Sequence, residues 1–246
     1  MEKNKEDKKE SIEVTETYIE KHKSNDIMEN KAGKTKQNKQ ILIAIILMLL
    51  VVAMIFLVPY VIQNYFNKFD YINLDFTKTK VGNVVFYNTL IPIVDENGKI
   101  IQDYGLDFRS DPRKLEYIEA NIPTEELKVL RNVKTYISIS PDIKQCEDNG
   151  IAMVSLSRFL GGFARLDVKG ASTNSSYAKE FNLTYATCKT NPNNTVIVIQ
   201  SDNQTKIEKT QKNCYELSYT NCEIIPVTEK FNLMILEQYM SFFERK

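Results

Sequence analysis

The side chains that most often perform chemistry are scarce in this chain. The single histidine, His22, lies near the N-terminus. Histidine-dependent catalytic triads, cysteine–histidine pairs and His-ligated zinc sites all require this residue. The sequence therefore excludes these designs from the whole region after residue 40.

The four cysteines, Cys146, Cys188, Cys214 and Cys222, all lie in the C-terminal half. None forms the close Cys-x-x-Cys pair that is typical of redox motifs and zinc ribbons. We therefore predict two structural disulfides, no metal and no cofactor. Of the three possible pairings we favour Cys214 with Cys222, which flank a short hairpin-like stretch, and Cys146 with Cys188 by elimination.

Two further patterns are weak candidates for chemistry. Glu147 and Asp148 are adjacent carboxylates near a predicted helix start, where negative charge stabilises the helix dipole far more often than it catalyses hydrolysis. Gly161 and Gly162 lack the lysine of a phosphate-binding loop and the spacing of a dinucleotide fingerprint. We interpret them as the end of a helix.

An apolar segment divides the chain. Residues 41 to 63 begin with 22 residues that carry no charge and no amide, and a helix of this length reaches roughly 33 Å, the thickness of a bilayer core. We predict a transmembrane helix, uncleaved because no small-x-small site follows it. Lysines precede the segment with no acid among them, which indicates a cytoplasmic N-terminus: Lys31, Lys34, Lys36 and Lys39.

Composition constrains the regions on either side. Residues 1–40 hold ten lysines and nine acids with few large apolar groups, so we predict a disordered cytoplasmic tail. The region after the span carries 22 basic and 23 acidic residues, a balance that argues against nucleic-acid binding. We expect that region to be extracytoplasmic, and the bilayer and a protein of the cell envelope to be the partners.

Periodicity predicts the elements of the extracytoplasmic region. Residues 64–80 are predicted as a juxtamembrane connector, and residues 81–132 as a membrane-proximal β-hairpin turning at Asn97-Gly98, followed by a short helix that Asp111 caps and Pro112 opens. Residues 133–246 are predicted as a domain of class α/β or α+β, a mixed sheet with packed helices.

Within residues 133–246 the pattern predicts a β-α-β-α-β unit, further short strands and a final helix. The expected ranges are strands 133–140, 166–169 and 183–188 around helices 148–162 and 175–181, then strands 196–200, 206–209, 215–219 and 223–227, and a helix over 228–243.

Four Asn-x-Ser/Thr sequons lie within thirty residues, at Asn174, Asn182, Asn193 and Asn203. Their number is close to what chance gives for this composition, but their clustering predicts a polar, solvent-facing surface that could accept glycans.

The runs Phe108-Arg109-Ser110-Asp111-Pro112-Arg113, Asn213-Cys214-Tyr215 and Asn221-Cys222-Glu223 resemble uncharacterised single-pass membrane proteins of archaea with an extracytoplasmic domain. The resemblance implies a compartment and no activity.

Three function hypotheses follow, in decreasing order. The first is a membrane-anchored interaction or scaffold domain. The second is a solute-binding or sensor domain that signals through the span, which predicts a pocket of roughly several hundred Å³ lined by tyrosines and phenylalanines. The third is an envelope hydrolase with two carboxylates facing each other across a cleft.

Overall fold

The computed structural model describes residues 39, 41–62, 65, 67–95, 99–123, 126–129 and 132–244. Three predictions fall on residues outside these ranges: the tail, the lysines Lys31, Lys34 and Lys36, and the Asn97-Gly98 turn. Lys39 is described and is exposed. The chain divides after residue 64 into two compact units.

In the first unit, helix α1 (Ile41–Val61) has 21 residues and a mean hydropathy of 3.6, and none of it is buried. It is long and apolar enough to cross a bilayer.

The second unit begins with a four-stranded antiparallel sheet in the order β1-β2-β3-β4. The strands are β1 (Lys68–Tyr71), β2 (Leu74–Val81), β3 (Val84–Val94) and β4 (Ile100–Phe108). The β3–β4 hairpin confirms the prediction, but the predicted connector over 64–80 is wrong. Leu74 and Phe76 alternate with polar residues as in a half-buried strand, and Ile72 and Asn73 turn the chain at positive φ without the glycine that usually signals a hairpin.

A seven-stranded mixed sheet follows, in the order β5-β10-β11-β9-β6-β7-β8. All its neighbouring strands are parallel except β10 and β11. The strands are β5 (Glu119–Ala120), β6 (Lys134–Ile139), β7 (Asp167–Ser172), β8 (Thr184–Tyr185), β9 (Thr195–Ser201), β10 (Lys206–Gln211) and β11 (Cys214–Tyr219).

The described residues of this unit also form three α-helices, a 3-10 helix and a π-helical turn. Helices α2 (Asn149–Arg158) and α3 (Ser175–Glu180) connect β6, β7 and β8, so the predicted β-α-β-α-β unit is confirmed. The predicted short helix is a 3-10 helix, Pro112–Tyr117, capped by the Asp111 side chain. These elements give the unit an α+β architecture.

The last helix, α4 (Ile224–Glu244), starts earlier than predicted, and the predicted strand over 223–227 is wrong. The β-branched residues Ile224, Ile225 and Val227 have a high strand propensity. Pro226 nevertheless fits the first turn of a helix, where its missing N–H costs nothing. Ile224, Val227 and Phe231 are completely buried at helical spacing, and this packing overrides the local propensity.

One hydrophobic core joins the two sheets through α4. Phe231 of α4 packs against Tyr215 of β11, with ring centroids 5.5 Å apart. Further along the helix, the Tyr239 hydroxyl donates a hydrogen bond of 2.8 Å to the Pro92 carbonyl of β3. The regions 81–132 and 133–246, which the sequence analysis separated, thus share one core.

The disulfides join Cys146 to Cys222 and Cys188 to Cys214, with Cα atoms 5.7 and 5.6 Å apart, so the favoured pairing was wrong. Cys214 and Cys222 stand at opposite ends of strand β11 and cannot meet. Cys146 and Cys222 follow the parallel strands β6 and β11, whose carboxyl ends lie at the same edge of the sheet. Pairing across that edge depends on strand order, which spacing along the chain does not reveal.

We predict that proteolytic digestion without reductant releases one peptide pair linking Cys146 to Cys222 and another linking Cys188 to Cys214, as read by mass spectrometry. Removing the first bridge with Cys146→Ser and Cys222→Ser should lower the free energy of unfolding by up to about 4 kcal/mol, and removing the second by slightly less, because the second loop is shorter. A reduced digest is the control. A peptide pair linking Cys214 to Cys222 would contradict the structure.

Candidate functional site

The four sequon asparagines are exposed and lie in loops and turns, outside the helices and strands. Asn174 caps α3, because its Oδ1 accepts a hydrogen bond of 3.0 Å from the Tyr177 amide. In the last sequon the Thr205 side chain is buried, and its hydroxyl is hydrogen bonded to Glu223. The structure therefore places these residues on the surface but does not bring them together as a site.

The predicted helix stop and the paired carboxylates both lie at the ends of α2. Gly161 and Gly162 belong to a π-helical turn, Phe159–Phe163, that follows the helix. A Cβ on Gly162 would lie 2.8 Å from the Tyr104 hydroxyl, so a larger residue there would require the Tyr104 side chain to move. Asp148 forms no side-chain cap at the helix start but binds Arg109, at 2.9 Å between Nη1 and Oδ1.

These contacts hold α2 beside β4, and the helix runs antiparallel to the strand. At the start of the helix Asp148 binds Arg109, which follows β4, and at its end the Arg158 carbonyl accepts a hydrogen bond of 3.2 Å from the Tyr104 hydroxyl. Ten helical residues span about 15 Å and five strand residues about 17 Å. The two elements are thus matched in length between their two points of attachment.

A groove of about 390 Å³ lies between these attachments. Its helical wall exposes two aliphatic side chains on one face of α2, Ile151 at 48% and Val154 at 68%. Its aromatic lining consists of Phe86, Tyr104 and Phe159. A volume of this size falls in the range of ligand-binding clefts, and exposed aliphatic side chains at its wall offer apolar contact area.

The opposite wall of the groove is formed by β4 at Gly105, Leu106 and Asp107. β4 is an outer strand that pairs with β3, and no strand in the described part of the chain pairs with its other side. Gly105 has no side chain here, although a Cβ would meet only the Leu90 side chain at an ordinary 3.8 Å. Glycine within a strand weakens it, and it often marks close approach of a ligand or of another backbone.

Glu229 of α4 lies behind this wall and holds the end of β4 in place. Its carboxylate is 3% exposed and accepts hydrogen bonds from the backbone amides of Arg109, at 2.6 Å, and Ser110, at 2.8 Å. Burial raises the pKa of Glu229 to about 7, and the two amide hydrogen bonds oppose that rise. The hydrogen bonds fix the chain at Arg109 and so orient the Arg109 side chain towards Asp148.

Three exposed charged side chains lie at the groove or on the opposite face of β4. Arg158 is exposed at one end, and no acidic residue within the described ranges forms an ion pair with it. Asp107 and Asp103 point to the other face of β4, because alternate side chains of a strand project to opposite faces. Both are exposed, and Asp107 accepts a hydrogen bond from the Asn88 side chain.

The described residues of this unit offer no set of side chains that could bind a catalytic metal ion. Across the residues that the structure describes, no group of three or more His, Cys, Asp or Glu side chains is placed to hold a metal ion.

Compared with known proteins, the chain matches no family model, no curated protein and no solved structure.

Sequence reasoning missed the groove, although two signals for it were present. Ile151 and Val154 stand three residues apart on α2, outside its buried face of Ala152, Leu156 and Phe159. Glu229 is an acidic residue close to the apolar positions Val227 and Phe231 of α4. Neither signal identifies the partner element, because the approach of β4 to α2 depends on the three-dimensional packing.

We predict a pH-dependent stability that Glu229 controls. The folded state retains the proton of Glu229 up to about pH 7, whereas an unfolded chain releases it near the ordinary pKa of 4.5. The folded state therefore binds more protons between these values, so the free energy of unfolding should fall by up to about 3 kcal/mol as pH rises from about 4.5 to 7.

Denaturant unfolding of the full chain in detergent, measured across this pH range, checks the prediction. Glu229→Gln should remove this component of the pH dependence and lower stability at pH 5, because its amide group faces a backbone donor. Glu237→Gln, which removes an exposed carboxylate of the same helix, should leave the pH dependence unchanged. An unchanged slope in Glu229→Gln would show that this carboxyl group is not responsible.

Proposed function

We propose that the protein is a single-pass membrane protein with its N-terminus in the cytoplasm and its folded unit outside, where that unit acts as an interaction module. Helix α1 has the length and hydropathy of a membrane span. The lysines before α1 support the orientation. The two disulfides fit an oxidising compartment. The resemblance to archaeal single-pass proteins is consistent with the same topology.

The observation that carries the interaction function is the groove between α2 and β4. It combines an open strand edge, two exposed aliphatic side chains and an arginine without an ion-pair partner among the described residues. Exposed apolar area bordered by charge is typical of protein-binding surfaces. The carboxylates beside it already have protein partners: Glu229 accepts two backbone hydrogen bonds and Asp148 is paired with Arg109. The geometry therefore supports binding better than hydrolysis.

A second candidate function is the recognition of a small solute, with a signal passed through the span. The volume of about 390 Å³ and the lining by Phe86, Tyr104 and Phe159 favour it. We rank it second because one wall of the groove is an unpaired backbone edge, which a peptide satisfies more completely than a small apolar solute.

Labelling of intact cells with a membrane-impermeant amine reagent tests the topology. We expect modified lysines in the folded unit, such as the exposed Lys179 and Lys189, and none at Lys31, Lys34, Lys36 or Lys39 until the cells are permeabilised. Permeabilised cells are the control for reactivity. Labelling of the tail with protection of the folded unit in intact cells would contradict the proposal.

Site-specific photocrosslinking in intact cells tests the interaction surface. A benzophenone amino acid in place of Val154 should give a protein adduct, whereas the same replacement at Val81 should give none. Both valines are highly exposed, at 68% and 66%, but Val81 stands at the far end of β2. A small-molecule adduct at position 154 would favour the solute-binding function, and equal protein adducts at both positions would overturn the assignment of the groove.

A further inference from the structure

We infer that the occupant of the groove is an extended peptide segment of a partner protein, which adds to the open edge of β4 as a further strand. This inference deepens the function proposed above and rests on it. Peptides that add to a sheet edge gain affinity from main-chain hydrogen bonds and specificity from alternate side chains.

The geometry of the groove fits an extended strand in length and in chemistry. The distance between the two attachments, about 15 Å, accommodates roughly five extended residues. Along it, β4 supplies a backbone edge and α2 supplies the aliphatic side chains of Ile151 and Val154. A strand between them would pair its backbone with β4 and place every second side chain against α2.

Gly105 supports the approach of a second backbone. It lies between Tyr104 and Leu106 on the groove wall, and it pairs with Leu90 of β3. A Cβ at this position would project to the face of Asp103 and Asp107, where it would meet the Leu90 side chain at 3.8 Å. The fold itself does not require glycine there, because the position is not at positive φ and a Cβ would not clash. A position without a side chain in an edge strand leaves room for the backbone of a neighbouring strand to approach closely.

Charge defines the side chains of the partner strand. On the face towards α2, Arg158 stands at one end of the aliphatic wall. It favours an acidic residue in the partner strand beside the apolar residues that contact Ile151 and Val154. On the opposite face, Asp103 and Asp107 are exposed and favour basic residues. The partner strand therefore carries apolar residues and one acid on one face and basic residues on the other.

Selection from a phage library of random short peptides, against the full chain in phospholipid nanodiscs, tests this inference. We expect binders with apolar residues at every second position. In the best binder, methylating single backbone nitrogens should weaken binding about tenfold at alternate positions and little between them, because only alternate amides face β4. Uniform effects, or a library that yields no binder, would overturn strand addition.

Matched variants locate the binding surface. Val154→Glu should weaken the selected peptide at least about tenfold, whereas Val81→Glu, the same change at equal exposure elsewhere in the sheet, should not. Equal losses in Val154→Glu and Val81→Glu would contradict the assigned groove, as would full binding by Val154→Glu.

A charge exchange tests the role of Arg158. Arg158→Glu should weaken the acidic peptide, and a peptide with lysine in place of its acid should regain affinity for that variant. If the exchange fails to restore binding, the assignment of the acid is wrong. Protein adducts at position 154 without the alternating methylation pattern would overturn strand addition and leave the interaction module in place; absence of any protein adduct would overturn that module itself.

Discussion

Between Ile224 and Leu236 of helix α4 only Pro226 and Lys230 are partly accessible and every other residue is buried, so other elements must cover most of the circumference of this segment. A helix that is buried over most of its surface cannot lie on a single sheet alone. The four-stranded sheet covers one side of α4 and the seven-stranded sheet the other, with α2 and the 3-10 helix completing the enclosure. The arrangement of both sheets therefore follows from the burial of one helix.

The burial of α4 also determines where the groove lies, because it sets the spacing between α2 and β4. Glu229 belongs to the buried part of the helix, and a buried carboxylate is costly unless donors reach it. Its donors are the amides of Arg109 and Ser110, immediately after β4, where the chain leaves the sheet. This contact fixes the end of β4, directs Arg109 to Asp148 and so holds the start of α2 beside the strand. The spacing between α2 and β4 is thus a consequence of satisfying one buried acid.

Features encoded by local periodicity could be predicted from the sequence, whereas those set by long-range pairing could not. The β3–β4 hairpin and the β-α-β-α-β unit show their strand and helix periods within short windows. The β1–β2 hairpin lacks a glycine turn, and the start of α4 has β-branched residues, so local propensity misled both predictions. The disulfide pairing and the groove depend on strand order and on which edge faces which helix. Neither the strand order nor the helix that faces a given edge can be inferred from the spacing of residues along the chain.

An unpaired strand edge normally invites association with further copies of the same chain. Here the edge strand carries Asp103 and Asp107 on its exposed face, and in a second copy the same acids would stand opposite them. Like charges on adjacent strands destabilise the pair. Helix α2 further restricts the approach to a strand that fits beside Ile151 and Val154. The edge is therefore protected against self-association by charge and shape, while it remains accessible to a strand whose basic face complements those acids.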